Sequence, residues 1–191
     1  MRLRQLERSE LASGIGSALA GGPPVAPACA PRLAAALHLD IPVDPGTAVV
    51  VPTSGTTGDP KAVELSAAAV TFAANAAHER LGGPGDWVCA LPVEHVAGLM
   101  TIARAVVAGT TVRFAHADLR DLPAAGQRSY LSLVGAQLYR ALSEPDTVAT
   151  LSRYAAVLVG GGAINPELLS AARRAGIPVI TTYGASETCG G

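Results

Sequence analysis

The sequence predicts an α/β fold of largely parallel sheets flanked by helices. Short apolar, β-branched runs recur at 48–51, 87–91, 129–134, 154–159 and 178–182. Segments of helical character separate most of them, which is the order of successive βαβ units. The clearest runs, 48–51 and 87–91, are apolar almost throughout, as strands buried on both faces are.

Along the chain, residues 6–19 follow a roughly helical period and stop at Gly21-Gly22-Pro23-Pro24. A proline-rich connection leads to a short helix at 32–39, and Asp44-Pro45-Gly46 is a turn. After the strand 48–51 comes a loop over 52–60, then an extended stretch 62–65. Ser66 is a good N-cap for an alanine-rich helix running to about Leu81, because its hydroxyl can accept from a first-turn N–H. Gly82-Gly83-Pro84-Gly85 ends that helix. Strand 87–91 leads through Pro92 into a helix ending near Gly109, and 110–114 is β-rich. Strand 129–134 precedes a short helix at 135–142. Strand 154–159 ends in Gly160-Gly161-Gly162. A helix over 166–175 has Pro166 in its first turn and Gly176 as its stop. Strand 178–182 is the last.

Composition narrows the partners. The formal net charge is −1 and aromatic residues are 4%, which offers neither a basic surface nor stacking platforms for nucleic acid. No membrane span is expected, since the most apolar stretch, 96–112, is short, contains two glycines and is broken by Arg104. The N-terminus carries charge too early for a signal peptide. Three widely spaced cysteines without a CxxC suit a reduced, cytoplasmic protein. Of the four histidines, His38, His78 and His116 read as surface residues.

The 14 basic residues include a single lysine, Lys61. It closes the string Thr53-Ser54-Gly55-Thr56-Thr57-Gly58-Asp59-Pro60-Lys61, directly after a strand. Backbone N–H groups and hydroxyls in such a loop can surround a polyphosphate, with the lysine as a compact point charge. A Walker A loop requires Gly-Lys-Ser/Thr, and here Asp59-Pro60 intervenes.

That string resembles the phosphate-binding signature of the adenylate-forming superfamily, which includes acyl-CoA synthetases, luciferases and adenylation domains. Two more segments follow in the family's order. Leu91-Pro92-Val93-Glu94-His95-Val96-Ala97-Gly98-Leu99 resembles its PLFHVAGL segment. Tyr183-Gly184-Ala185-Ser186-Glu187-Thr188 resembles its YGMTET segment, with Gly160-Gly161-Gly162-Ala163 before it. The departures are Ala62 for a glycine, Ala185 for a methionine and Ser186 for a threonine.

The resemblance implies a two-step reaction in which a carboxylic acid attacks the α-phosphate of ATP and the CoA thiol then displaces AMP. By resemblance Thr53, Ser54, Gly55, Thr56, Thr57, Gly58 and Lys61 hold the β,γ-phosphates. Ser186 contacts the α-phosphate, and Glu187 binds Mg²⁺. Gly160, Gly161, Gly162, Tyr183 and Gly184 surround adenine. His95 faces the acid, with Gly98, Leu99 and Ala163 around it. Lys61, His95, Ser186 and Glu187 are thereby the expected catalytic set. ATP, Mg²⁺ and CoA are the implied cofactors and co-substrates, and a homodimer is a compatible assembly.

The resemblance divides the chain into an N-terminal helical and connecting segment, 1–46, and part of the family's large N-terminal domain, 47–191. Residues 18–27 and the tail from Gly160 look most like short o-succinylbenzoate–CoA ligases, which act in menaquinone biosynthesis. A medium-chain or aryl acid–CoA ligase and an inert nucleotide-binding fragment remain alternatives. The ribose-binding aspartate and C-terminal lysine of the family have no counterpart before Gly191, so the 191 residues alone are expected not to make acyl-CoA.

Overall fold

The computed structural model describes residues 1–53 and 59–190. Two sheets stand on either side of a central helix. The first has four strands in order: β1 (Arg4–Leu6), β2 (Val25–Pro27), β3 (Thr47–Thr53) and β4 (Lys61–Ser66). Its first three strands are parallel, while β3 and β4 form an antiparallel pair. The second sheet is wholly parallel, in the order β6 (Val112–Phe114), β5 (Asp86–Cys89), β7 (Ser129–Val134), β8 (Ala156–Gly160), β9 (Val179–Thr181).

The helices are α1 (Leu11–Leu19), α2 (Pro31–Ala34), α3 (Ala67–Arg80), α4 (Val96–Ala108), α5 (Gly135–Ala141), α6 (Pro145–Leu151) and α7 (Pro166–Arg174). Their ends follow local chemistry. The Ser66 hydroxyl accepts from Ala69 N at 3.1 Å, as expected of that N-cap. Asn165 does the same for Glu167 N at 2.8 Å, with Pro166 at the first helical position. Gly109 ends α4 at φ 65°, a left-handed conformation that costs glycine little.

Helix α4 holds the structure together. Every residue from Gly98 to Ala105 is buried, so the helix has no solvent face over two turns. On one side Leu99, Met100, Ile102 and Ala103 share a core with Leu11, Ile15, Val49, Val51 and Leu65 of the first sheet and its helices. On the other side Ala105 packs with Trp87, Tyr130, Ala156 and Leu158 of the second sheet. A further core, including Leu131, Leu133, Leu138, Val157 and Val159, lies on the opposite face of that sheet.

The structure corrects the sequence reading at several points. Residues 1–46 do more than connect: β1 and β2 belong to the first sheet, and Leu6, Leu11 and Ile15 share its core with Val49. The division at 46/47 therefore does not separate two bodies of packing. Helix α6 lies in a stretch for which no element was expected. His78 is not a surface residue. It is 5% exposed, and its Nε2 accepts from the Trp87 indole N–H at 3.2 Å. Among the described residues no helix is long and apolar enough to cross a membrane.

Candidate active site

In an open α/β sheet ligands bind outside the carboxyl ends of the strands, where the strand order reverses. From β5 the chain goes to one side for β6 and returns to the other for β7, so the reversal lies between β5 and β7. A cavity of about 630 Å³ opens across these ends. It is lined by Leu91 after β5, Val134 at the end of β7, Gly160 at the end of β8 and Thr182 after β9.

Six of the expected site residues, Gly160, Gly161, Gly162, Ala163, Tyr183 and Gly184, line this cavity. A Cβ at Gly160 would collide with the Thr182 hydroxyl, so glycine there lets β8 lie close beside the segment after β9 without displacing that side chain. Gly161 has φ +81°, which side chains rarely tolerate. Gly162 is different: a Cβ there would meet no atom within 4 Å, so its bareness is turned toward open space. Tyr183 is 97% exposed, an aromatic face that a flat ring can cover.

Thr53 and Lys61 are paired across the β3–β4 hairpin, and the Thr53 hydroxyl donates to the Lys61 carbonyl at 3.3 Å. The lysine side chain is exposed. Ser54, Gly55, Thr56, Thr57 and Gly58 of the expected phosphate loop lie outside the described residues. The 3₁₀ turn Ser186–Thr188 packs against β4, which brings Ser186 and Glu187 beside the strand that begins with Lys61. Within that turn the Thr188 hydroxyl accepts from Ala185 N and donates to Ala185 O, both at 3.0 Å. Cys189, 3% exposed, seats the end of the turn in the first core.

Glu187 is exposed, and the described residues contain no cluster of three or more His, Cys, Asp or Glu able to hold a metal. A lone carboxylate fits Mg²⁺, which keeps several waters and takes phosphate oxygens as further ligands. It does not fit a metal caged entirely by protein.

On the acid side, His95 is exposed at the extended residue before α4, and its neighbours Val96 and Ala97 line the cavity. Gly98 and Leu99 do not line it. A Cβ at Gly98 would collide with the Pro92 carbonyl, so this glycine lets the 91–95 loop close onto α4. Leu99 is 0% exposed and belongs to the first core. The expectation that Leu99 touches substrate is therefore corrected: its side chain is committed to the first core, with Val49 and Leu65.

Among the cavity residues that the sequence reading did not name, two are polar and buried. Arg104 is 4% exposed, with its Cζ 5.1 Å from the centre of the Trp87 ring, and it lines the cavity. Burial pushes its pKa down to about 10, opposed by nearby Cys189, so it stays cationic at neutral pH. Ser132 is 6% exposed and lines the same cavity from β7. The available signal was an arginine inside the apolar run 96–112, which was read only as an interruption.

The glycine loop and the exposed tyrosine border a cleft at the carboxyl ends of a parallel sheet, the place where α/β enzymes take their ligands, and the chain belongs to the AMP-binding enzyme family, whose model matches residues 8–191. It is 48% identical over 168 residues to "Probable 2-succinylbenzoate--CoA ligase" of Mycobacterium tuberculosis, covering 83% of this chain and 44% of that protein. It is 32% identical over 148 residues to "2-succinylbenzoate--CoA ligase" of Enterococcus faecalis, covering 74% of this chain and 30% of the relative. Among solved structures, O-succinylbenzoate Coenzyme A Synthetase (MenE) from Bacillus subtilis, in complex with ATP and magnesium ion, superposes with a TM-score of 0.61. It is 30% identical, with 78% of this chain and 33% of that chain covered. The chain thus spans less than half the length of these relatives.

Proposed function

We propose that this chain supplies the nucleotide- and acid-binding site of an ATP-dependent acid–CoA ligase that converts o-succinylbenzoate to o-succinylbenzoyl-CoA in menaquinone biosynthesis. One observation carries the reading. A single cavity is bounded by Gly160–Ala163 and Tyr183 on one side and by the start of α4, beside His95, on the other. A nucleotide against the glycines and an acid against α4 would meet within it.

The chemistry asked of these residues is positioning and charge stabilisation. In the first step a carboxylate oxygen bonds to the α-phosphorus while the bond to pyrophosphate breaks. Lys61, with the hydroxyls of residues 53–57, neutralises the departing β,γ-phosphates. Ser186 donates to an α-phosphate oxygen. Glu187 holds Mg²⁺, which when bound offsets the charge of the phosphates. Tyr183 covers the adenine face while backbone at 160–162 approaches its edge. His95 hydrogen-bonds the acid and keeps its carboxylate on the α4 side. In the second step the CoA sulfur bonds to the acyl carbon and AMP leaves.

The test is a coupled pyrophosphate-release assay, using the protein as expressed from its gene and a panel of acids. Release with o-succinylbenzoate well above that with medium-chain or simple aryl acids supports the reading. Preference for another acid replaces the substrate, and no release with any acid overturns the activity.

A further inference from the structure

Gln137, the third residue of α5, is 4% exposed, and its side-chain amide is committed to backbone. The amide oxygen accepts from Val134 N at 3.0 Å. The amide nitrogen donates to Ala90 O at 3.0 Å and to Ala117 O at 2.9 Å. In a capping box a glutamine at this position reaches back only to the residue before its helix, which is Ser or Thr. Here that residue is Val134, and the two further bonds leave the helix altogether.

Their targets lie where the sheet opens. Strands β5 and β7 are paired from Asp86 and Ser129 as far as Cys89 and Ser132. Strands β5 and β6 are paired as far as Cys89 and Phe114. Ala90, Ala117 and Val134 all follow these last pairs, at the reversal of strand order where the cavity begins. One side chain thus takes over where the backbone ladder stops. It also joins the two walls of the cavity. Ala90 precedes Leu91, which lines the cavity and opens the loop to His95. Val134 lines the cavity too, and it pairs with Gly160 across β7 and β8.

We propose that Gln137 is a positioning residue for adenylation: it fixes the acid wall, Leu91 to Ala97, relative to the nucleotide wall of Val134 and Gly160–Gly162. The inference rests on the acid–CoA ligase reading above and deepens it by naming what aligns the two substrates. A primary amide suits the task, because two donors and an acceptor in one rigid plane hold three backbone groups at once. Burial strengthens each bond, since little water competes for it. The carboxylate must meet the α-phosphorus in line, and a misplacement of about 1 Å costs on the order of 100-fold in rate. Each substrate alone leans on one wall, so its binding does not depend on how the walls are spaced. Gln137 is not one of the described residues that line the cavity, so it acts through the backbone it holds. Its loss therefore falls on kcat and spares KM.

The experiment is ATP–pyrophosphate exchange with o-succinylbenzoate by the protein as expressed from its gene, run well below the melting temperature of each variant. Gln137→Met keeps the length and removes all three bonds. It is expected to lower kcat at least tenfold, with KM for ATP, KM for the acid and calorimetric AMP affinity each changed less than threefold. Gln137→Glu keeps the shape and the acceptor for Val134 N but, when ionised, has no donor for Ala90 or Ala117. It is expected to lower kcat at least fivefold, which separates the bridge from the helix cap. If Gln137→Met does not fold, Gln137→Glu decides, and failure of both to fold makes Gln137 a structural residue and overturns the positioning role. Folded variants with a lower melting temperature but the parent kcat also overturn it, as does a rise in both KM values at constant kcat. Either result leaves the ligase reading standing. No exchange by the parent protein overturns both.

Discussion

Thr53 and Lys61 face each other across the β3–β4 hairpin, and the Thr53 hydroxyl donates to the Lys61 carbonyl at 3.3 Å. The strand pair fixes the backbone of the lysine while its side chain stays exposed and free to reach a phosphate. Lys61→Ala is therefore expected to leave folding intact and slow adenylation more than the transfer to CoA. Pyrophosphate exchange measured beside thioester formation from preformed acyl adenylate separates the two steps. Equal slowing of both would remove Lys61 from the phosphate site.

The turn that carries Glu187 leans on β4 and is held by the Thr188–Ala185 hydrogen bonds. Glu187→Gln keeps size and exposure but removes the hard anionic ligand. A magnesium titration of adenylation is expected to shift its midpoint upward severalfold. Coincident midpoints would show that Glu187 is no metal ligand.

His95→Ala is expected to raise the KM for the acid about tenfold or more while leaving the KM for ATP nearly unchanged. A hydrogen bond to a charged group is worth about 1.5–3 kcal/mol, which sets that magnitude. A parallel rise in both constants would make His95 a structural residue.

How much of this was legible in the sequence depended on whether the signal was local. The strand 129–134, the cap at Ser66, and Pro166 with Gly176 around α7 matched because each rests on chemistry within a few residues. Strands β1 and β2 were not legible. Three residues each, one of them ending in Pro27, they are strands only because β2 lies alongside β3 and β1 alongside β2. The motif residues 160–163 and 183–184 line one cavity because strand ends in a parallel sheet share one edge. Leu99 and Arg104 were misjudged or missed for a common reason. From Gly98 to Ala105 α4 is buried all round, so polarity along its sequence does not tell which residues face core and which face the cavity.

His78 was also misjudged, and its burial has a consequence for pH. Burial and the neighbouring Arg104 charge lower its pKa below the usual 6.5, so the folded protein holds it neutral. Its contribution is full above pH 6.5 and is lost as pH falls below that value, because the unfolded chain then takes up the proton first. The melting temperature is expected to fall between pH 7.5 and pH 5, and His78→Gln, which keeps an acceptor for the Trp87 N–H, is expected to flatten part of that slope. An identical slope in the variant would assign the pH dependence to other groups.

The central claim is that the nucleotide occupies the space beside the 160–162 glycines, and Gly162 tests it most directly. A Cβ at this position meets nothing within 4 Å, so the side chain added by Gly162→Val starts into open space at the cavity wall. AMP binding by isothermal titration calorimetry, with a thermal melt as control, is the measurement. The expected result is a melting temperature within about 2 °C of the parent, since open surface substitutions change stability little, together with AMP affinity reduced at least tenfold. Unchanged affinity in a folded Gly162→Val protein would contradict the account.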